Sequence, residues 1–303
     1  LSGNLYTEQE EVEIIFNKKR KAFVKIHSAS LNKKETQHNR EKKRLITAHD
    51  NIYLKKLGIV SSNNEVYKNK QDKFKQLNKY IEIIDNLIKD VSFSDEIHIV
   101  DMGSGKGYLT FALYDYLKNV LNLNVFVTGI ELRSELVDLC NEIAKAAKFE
   151  NLTFKAQLIQ EYSATNIDIL IALHACDTAT DDAIFKGLSA ESSLIICAPC
   201  CHKQIRKQIN CQTVLQSILK HNIFEERQAE MITDGIRGLI LEGFGYETQT
   251  FEFISSEHTG KNVMIIGNKK QEEEQNKEAF SKIIEIKKEF GIDSHYLETL
   301  ISQ

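Results

Sequence analysis

The chain of 303 residues contains one proline, no tryptophan and three methionines. It also lacks an uninterrupted apolar run of the roughly 18 residues that a membrane-spanning helix requires. The first residues, which include Glu8 and Glu10, do not have the apolar core of a signal peptide. These absences favour a cytoplasmic protein without a membrane partner. The chain begins with leucine, so a longer parent protein stays open.

The six cysteines show neither C-x-x-C pairs nor the spacing of a disulfide scaffold. They lie in apolar segments or in motifs, so we expect reduced thiols. Neighbouring cysteines seldom bind one tetrahedral ion together, and the sequence therefore predicts no metal. Inert buried thiols, zinc ligands and nucleophiles stay open as alternatives for the individual cysteines.

The net charge of −4 hides an unequal distribution. Residues 16–79 contain 18 Lys and Arg against 5 acidic residues, or +13, whereas the remainder has 21 against 38, or −17. A basic arm beside an acidic body suggests a polyanionic partner. We predict an RNA substrate, with Lys42, Lys43 and Arg44 among its contacts and no obligate protein partner. The alternative is a solvated helical face.

The composition divides the chain into three parts. Residues 1–90 predict a basic, mainly helical region that ends in an amphipathic helix from Asp72 to Lys89. Residues 91–270 predict alternating strands and helices, and residues 271–303 a C-terminal helical extension. Lys73 and Gln76 either lie near a ligand or form only the polar face of their helix, which is the favoured interpretation.

The alternation of strands and helices indicates a parallel sheet with helices on both faces. Strands are predicted at 97–101, 125–131, 152–156, 167–173, 193–198, 246–254 and 262–267. The last two are joined by a short connection and should pair antiparallel. This is the α/β, Rossmann-like sheet of class I methyltransferases, which has seven strands, is mostly parallel and has an antiparallel last strand.

The sheet is organised around the stretch Ile97–Tyr108. Asp101 ends its strand, and Gly103, Gly105 and Gly107 open a sharp turn into a helix. The spacing D-x-G-x-G-x-G fits neither the dinucleotide fingerprint nor the phosphate loop at full length. The turn suits S-adenosylmethionine, because an acidic residue complements the positive charges of that ligand and its methionine tail needs close backbone approach.

Ligands of open parallel sheets bind beyond the carboxyl ends of the strands. Glu131 ends the second strand, where its carboxylate can accept both ribose hydroxyls; the alternative is an exposed turn acid. The predicted S-adenosylmethionine site comprises Asp101, Gly103, Ser104, Gly105, Gly107, Glu131, Gln157 and His174.

Two motifs follow the fourth and fifth strands. The first reads H-A-C-D-T-A-T-D from His174 to Asp181, and the second reads P-C-C-H from Pro199 to His202. Helix capping accounts for Thr178 and Asp181 but leaves the histidine and the first aspartate of the motif unexplained. The predicted catalytic residues are His174, Cys176, Asp177, Cys200, Cys201 and His202.

These residues leave two mechanisms open. Attack by Cys200 or Cys201, with Cys176 assisting, would permit methylation of a pyrimidine ring carbon. A ribose oxygen or another heteroatom needs only placement and a base, such as His174 or Asp177, and we favour this mechanism. An exocyclic nitrogen is less favoured, because the slot after the fourth strand lacks N/D-P-P-Y/F.

The connection between the last two predicted strands is far richer in polar residues than a tight turn needs. It predicts substrate contacts, whereas the alternative is an ordinary exposed hairpin. The candidate residues are Glu257, His258, Lys261 and Asn262.

Seven stretches of the chain together resemble a bacterial family of class I S-adenosylmethionine-dependent methyltransferases. The paired motifs also look like those of eukaryotic relatives, among them a tRNA ribose methyltransferase. The resemblance implies that Asp101, Gly103, Gly105 and Glu131 hold the cofactor and that the two motifs face the substrate. Many relatives carry an acidic residue after the third strand, where this chain has Gln157. The stretches are 38–45, 72–83, 100–113, 173–184, 199–202, 233–237 and 257–262.

Three other functions stay open beside RNA methylation. They are methylation of a protein or small molecule, nucleic-acid binding without catalysis on the same fold, and nicotinamide-dependent oxidation or reduction. The glycine spacing disfavours the last, and the dense polar clusters argue against the non-catalytic alternative.

Overall fold

The computed structural model describes residues 2–6, 10–16, 21–28, 44–89, 91–163, 166–173, 175–211, 214–253, 263–270 and 276–302. The chain divides into two compact units, residues 1–43 and residues 44–303. Several predicted site residues lie outside the described residues: Lys42, Lys43, His174, Glu257, His258, Lys261 and Asn262.

The first unit contains an antiparallel sheet in the order β1-β2-β3. Its strands are β1 (Ser2–Tyr6), β2 (Glu10–Phe16) and β3 (Ala22–Ser28). The prediction of a mainly helical region is therefore wrong here. β-Branched residues alternate with a charged one at Val12, Glu13 and Ile14, and this period of two favours a strand over a helix.

The second unit is built on a seven-stranded sheet in the order β6-β5-β4-β7-β8-β10-β9. Neighbours from β6 to β8 are parallel, and β10 runs antiparallel to both β8 and β9. The predicted fold class is therefore confirmed. The strands are β4 (Ile97–Met102), β5 (Val125–Glu131), β6 (Leu152–Ala156), β7 (Ile169–Ala172), β8 (Leu194–Cys197), β9 (Tyr246–Glu252) and β10 (Val263–Lys269).

The central strands explain both the apolar runs of the sequence and the position of a ligand site. Every residue of β7 and β8 is buried, as expected for parallel strands covered on both faces. The chain adds β5 and β6 on one side of β4 and then returns to add β7 on the other. The strand order therefore reverses at β4, and a doubly wound sheet binds its ligands in the crevice at such a point.

Helices cover both faces of this sheet. They are α1 (Ile52–Lys56), α2 (Gln71–Ile88), α3 (Tyr108–Asp115), α4 (Ser134–Ala146), α5 (Thr178–Ser189), α6 (Lys203–Arg206), α7 (Gln216–Leu219), α8 (Asn222–Gly243), α9 (Lys277–Phe290) and α10 (Tyr296–Ile301). Within the described ranges, no helix has the length and apolar character needed to cross a bilayer.

The helix α2 corrects the predicted boundary at residue 90. Its apolar side chains, among them Phe74 and Leu77, are buried in one hydrophobic core with Ile97 and Ile99 of β4. Because this packing joins α2 to the sheet, residues 44–90 belong to the second unit rather than to an N-terminal region.

Candidate functional site

A cavity of about 260 Å³ lies beyond the carboxyl end of β4, where the strand order reverses. Its volume is just below the roughly 300–1,000 Å³ of most ligand sites. The lining residues come from the glycine turn, from α2 and α3, and from the end of β7. They are Lys73, Gln76, Leu77, Asp101, Gly103, Ser104, Gly105, Lys106, Tyr108, Leu109 and Leu173. Lys73 and Gln76 therefore lie on the face of α2 that lines the cavity, which agrees with the alternative that places them near a ligand.

The glycine turn is held against the end of β5. The backbone N–H groups of Gly103 and Ser104 both donate to the carbonyl of Ile130, over 2.8 and 2.9 Å. Gly105 has a φ of +56°, and a Cβ there would lie 4.0 Å from Glu131 Oε2. The left-handed backbone favours glycine at this position. Because glycine has no side chain, the main chain stays accessible from the cavity.

Gly107 has a different role from the predicted contact with the cofactor. Its φ is +68°, and a Cβ there would come within 2.9 Å of the Phe111 ring and 3.1 Å of the Phe154 ring. Glycine at this position therefore permits the first turn of α3 to pack on the aromatic core, and Gly107 is not among the residues that line the cavity.

Asp101 places a carboxylate in the wall of the cavity. It is buried and accepts a hydrogen bond from Thr110 Oγ1 over 2.5 Å. Burial raises the pKa of Asp101 to about 6, although the bond from Thr110 acts in the opposite direction. The carboxylate is therefore ionised at neutral pH and can attract a cationic ligand.

Two lysines line the same cavity as this carboxylate, Lys73 and Lys106. The pKa of Lys73 is lowered, first by burial and then by the positive charges of Lys70 and Lys106. The Lys73 Nζ lies 3.3 Å from the centre of the Tyr108 ring, a cation–π contact that fixes its position. The cavity thus offers both a carboxylate and ammonium groups to a ligand.

Glu131 is occupied by a neighbouring arginine. Its Oε1 accepts from Arg133 Nε over 2.9 Å, and its Oε2 accepts from Arg133 Nη2 over 3.2 Å and from the Gly105 N–H over 3.0 Å. Burial raises the pKa of Glu131, but these bonds and the charge of Arg133 outweigh it and lower the pKa. The side chain of Arg133 is 59% exposed, so it has room to turn into solvent and free the carboxylate for a ribose.

Gln157 directly follows β6 and lies beside Glu131, but it does not line the cavity. Its backbone N–H donates to the Glu131 carbonyl over 3.2 Å, and its side-chain amide donates to the Glu161 carbonyl over 2.9 Å. These two bonds hold Gln157 at the end of β6, and the predicted contact with the cofactor stays a prediction.

The fold brings the two cysteine motifs together. Cys176 Sγ lies 3.3 Å from Cys200 Sγ, which in turn lies 3.6 Å from Cys201 Sγ. Burial and then the two neighbouring thiols raise the pKa of Cys200 to about 12. Because the thiolate is the nucleophilic form, this cysteine is poorly suited to attack a pyrimidine at neutral pH.

A buried ion cluster lies beneath these motifs and is centred on Arg237 of α8. The Arg237 side chain is 0% exposed and binds both carboxylate oxygens of Asp181, over 2.8 and 3.0 Å. It also donates to Asp234 Oδ1 over 3.1 Å and to the carbonyl of Asp177 over 2.9 Å. His202 Nε2 lies 3.1 Å from the same oxygen of Asp234. The cluster therefore connects the loops that follow β7 and β8.

This arrangement corrects two predictions. His202 is 3% exposed and pairs with Asp234, so it cannot touch an incoming acceptor, and the predicted catalytic contact is wrong. Asp181, which helix capping appeared to explain, is instead a buried partner of Arg237. Asp177 adopts a φ of +54°, and its carboxylate accepts from the Gln204 N–H over 3.2 Å.

The role of Arg237 is not among the predictions from the sequence, although a signal for it was present. The arginine lies among Ile232, Ile236 and Ile240, which form a buried apolar face of α8. A single cation on such a face requires buried anions nearby. Asp234 lies three residues before Arg237 on the same helix, so the spacing indicates this partner, whereas Asp181 precedes Arg237 by 56 residues and could not be identified.

Arg44 is the described member of the predicted RNA contacts in the basic run. Its guanidinium lies 5.3 Å from the centre of the Phe74 ring on α2, next to Lys73. The side chain is exposed, and Arg44 lies in the segment that precedes α1.

A family model described as a methyltransferase domain matches residues 72–208. This range begins in α2 and ends just after α6, and it includes the glycine turn, Glu131 and both cysteine motifs. A comparison with curated proteins finds no match.

Solved structures with a related fold belong to proteins of different activities. An rRNA methylase from Streptococcus thermophilus is 13% identical over 68% of this chain and 100% of its own, with a TM-score of 0.37. A coclaurine N-methyltransferase bound to N-methylheliamine and SAH is 17% identical over 50% of this chain and 44% of its own, with a TM-score of 0.34.

The cyclase SpnF is 14% identical over 42% of this chain and 46% of its own, with a TM-score of 0.32. The chain therefore spans less than half the length of the cyclase and of the coclaurine enzyme.

Proposed function

We propose that this chain, which carries an S-adenosylmethionine-dependent methyltransferase domain over residues 72–208, methylates an oxygen or another heteroatom of an RNA. The observation that carries the proposal is the cavity beyond β4, which combines Asp101 with Lys73 and Lys106. These charges complement the amino group and the carboxylate of the methionine tail. The cofactor supplies an activated methyl group, and the residues of the chain bind and orient it.

The remaining cofactor contacts follow from the glycine turn. Gly103 and Gly105 present backbone to the cavity, where a side chain would hinder the close approach of the tail. Glu131 lies next to Gly105 and would accept the ribose hydroxyls once Arg133 moves aside. Both roles agree with the rule that places ligands at the carboxyl ends of the strands around a reversal of strand order.

The charge distribution supports an RNA acceptor. Burial and then the charges of Lys70 and Lys106 lower the pKa of Lys73, so these three basic side chains lie close together near the cavity. Arg44, which lies over the Phe74 ring of α2, adds a further positive charge to the second unit. A polyanion gains affinity from such a surface by releasing counterions. A cytoplasmic location and the absence of an obligate protein partner remain predictions.

One of the two candidate nucleophiles is poorly suited to attack on a ring carbon. A covalent mechanism needs a thiolate, whereas burial and the neighbouring thiols raise the pKa of Cys200 to about 12. Placement in line with the sulfonium and removal of one proton suffice for an oxygen. His174 and Asp177 remain the candidate bases, and one carboxylate oxygen of Asp177 already accepts from the Gln204 N–H.

Titration calorimetry with S-adenosylmethionine and with NADH tests the cofactor. We expect binding of the first alone and its loss in Gly105→Val, because a branched side chain would project toward the ligand. Gly58→Val is a matched control: its φ is +66°, and a Cβ there meets no other described atom within 4 Å. Equal affinity in the two variants, or binding of NADH, would contradict the proposed cofactor site.

The salt dependence of RNA binding tests the acceptor class. Each phosphate contact contributes a slope of about −0.7 on single strands, so neutralising Lys42, Lys43 and Arg44 together should reduce the slope by about 2. Neutralising three exposed lysines of α9, Lys277, Lys282 and Lys288, provides a control that should leave it unchanged. Transfer of labelled methyl from S-adenosylmethionine to cellular RNA should accompany binding, whereas salt-independent binding or labelled protein would indicate another acceptor.

A further inference from the structure

The three thiols of the cysteine motifs form a compact cluster at the surface of the second unit. Cys176, Cys200 and Cys201 each place Sγ within 4.8 Å of the other two. Zinc–sulfur bonds of about 2.3 Å in a tetrahedral site place the sulfur atoms about 3.8 Å apart. The observed separations of 3.3 and 3.6 Å are close to this value, so one ion can reach all three sulfur atoms with small side-chain adjustments.

The positions of the three sulfur atoms contradict the expectation that neighbouring cysteines do not bind one ion together. Adjacent cysteines usually direct their side chains apart, yet the sulfur atoms of Cys200 and Cys201 lie 3.6 Å from each other. The third sulfur comes from another loop, 24 residues earlier in the chain. The absence of C-x-x-C pairs therefore does not exclude a metal site, because the fold supplies the proximity that local spacing does not.

The backbone around the thiols is anchored in the way that metal sites require. The carbonyl of Asp177, directly after Cys176, accepts a hydrogen bond from Arg237. His202, directly after Cys201, pairs with Asp234 of the same buried cluster. Rigid supporting contacts of this kind hold the ligands of a metal in position before the ion binds. Three free thiols held together in this way would repel one another when ionised, unless a cation joins them.

The geometry points to a zinc site with Cys176, Cys200 and Cys201 as its ligands. Thiolates are soft ligands that select Zn²⁺ over Mg²⁺, Ca²⁺ or Mn²⁺. The described part of the chain contributes no fourth protein ligand to the group, and a site with three protein ligands and one open position is typical of catalytic zinc. Zinc binding does not depend on the proposed methyl transfer, because neither S-adenosylmethionine nor an acceptor takes part in it.

Metal analysis of the reduced full chain tests the site. After incubation with ZnCl₂ and removal of excess ion, mass spectrometry of the metal content should give one zinc per chain. Cys176→Ala, Cys200→Ala and Cys201→Ala should each lose stoichiometric zinc, whereas Cys197→Ala, which removes a buried thiol of β8, should retain it. Cys176 is exposed, so its substitution leaves the fold intact, and circular dichroism checks all four variants.

Replacement of zinc by Co²⁺ provides a second measurement. Thiolate ligands give cobalt an intense near-ultraviolet charge-transfer absorption, which should appear in the wild-type chain and in Cys197→Ala and should weaken in the three ligand variants. Failure of the reduced wild-type chain to bind Zn²⁺, or equal zinc content in Cys176→Ala, would overturn the inference. A Cys176–Cys200 disulfide in a chain that also fails to bind zinc when reduced would instead identify the cluster as a redox pair.

Discussion

Replacement of Arg237 by methionine should strongly destabilise the second unit. The guanidinium is fully buried and joins Asp181, Asp234 and the carbonyl of Asp177. Burial alone would lower the pKa of Arg237, but the two carboxylates outweigh it and raise the pKa, so the arginine is charged in the folded state. Methionine preserves much of the volume but leaves two carboxylates buried without a cation.

The expected loss follows from the cost of breaking a buried ion pair, which is about 3–5 kcal/mol. In a unit of this size each kcal/mol lowers the unfolding temperature by roughly 2–4 °C, so the variant should unfold about 6–20 °C below wild type. Differential scanning calorimetry at neutral pH measures this shift. Lys269→Met is a matched control, because its partner Glu191 is exposed and such a surface pair contributes about 1 kcal/mol or less.

A double variant distinguishes the effect of the unpaired buried carboxylates from the effect of lost side-chain packing. Arg237→Met combined with Asp181→Leu removes one of the two unpaired carboxylates, so it should unfold at a higher temperature than Arg237→Met alone. If the double variant were the less stable of the two, or if Arg237→Met unfolded within 2 °C of wild type, the argument that the cluster is held by a buried cation would be refuted.

Three further predictions concern the site. Glu131→Ala should weaken S-adenosylmethionine binding about 10- to 150-fold in calorimetry, since a hydrogen bond to a charged group contributes about 1.5–3 kcal/mol. Arg133→Ala should bind as tightly as wild type or more tightly, because the arginine side chain competes with the ribose for Glu131. Weaker binding by Arg133→Ala would contradict this role. Burial raises the pKa of Asp101 from 3.8 to about 6, so protonation of this carboxyl adds stability as the pH falls from 6 to 4. Burial lowers the pKa of His295 from 6.5 to about 4, so the folded state loses stability as the pH falls through nearly the same range. As the pH is lowered from 6.5 to 4, the unfolding temperature of Asp101→Asn should therefore fall more steeply than that of wild type. Parallel curves for the two proteins would refute the raised pKa of Asp101. RNA that contains a fluorinated pyrimidine should give no denaturation-resistant adduct with the chain; an adduct that disappears in Cys200→Ser would restore the covalent mechanism.

Local patterns were sufficient for the sheet of the second unit. The strands β5 and β6 have the predicted bounds, because each combines apolar or β-branched residues with a clear end. The glycine turn was equally visible, since three glycines at alternate positions after a strand have few other uses. In the first unit, the alternation around Val12 and Ile14 is short and lies among acidic residues, so it is a weaker signal than the strand patterns of the second unit.

Contacts between distant residues account for what the sequence did not reveal. The competition between Arg133 and a ribose for Glu131 depends on a side-chain orientation, and the pairing of Arg237 with Asp181 depends on side chains from α8 and α5 that meet across 56 residues of sequence. The cysteine cluster likewise requires β7 and β8 to be neighbours with their ends level. The order of the strands could be predicted, but the positions along neighbouring elements at which individual side chains meet could not.

The sharing of one buried cluster makes the loops after β7 and β8 energetically coupled. Asp177 O accepts from Arg237, and His202 pairs with Asp234, which also binds Arg237. A ligand that displaces one loop must therefore disturb the contacts that hold the other. Substitutions in the two loops should consequently combine non-additively, with interaction energies of about 0.5–3 kcal/mol, so that the two motifs act as one cooperative element.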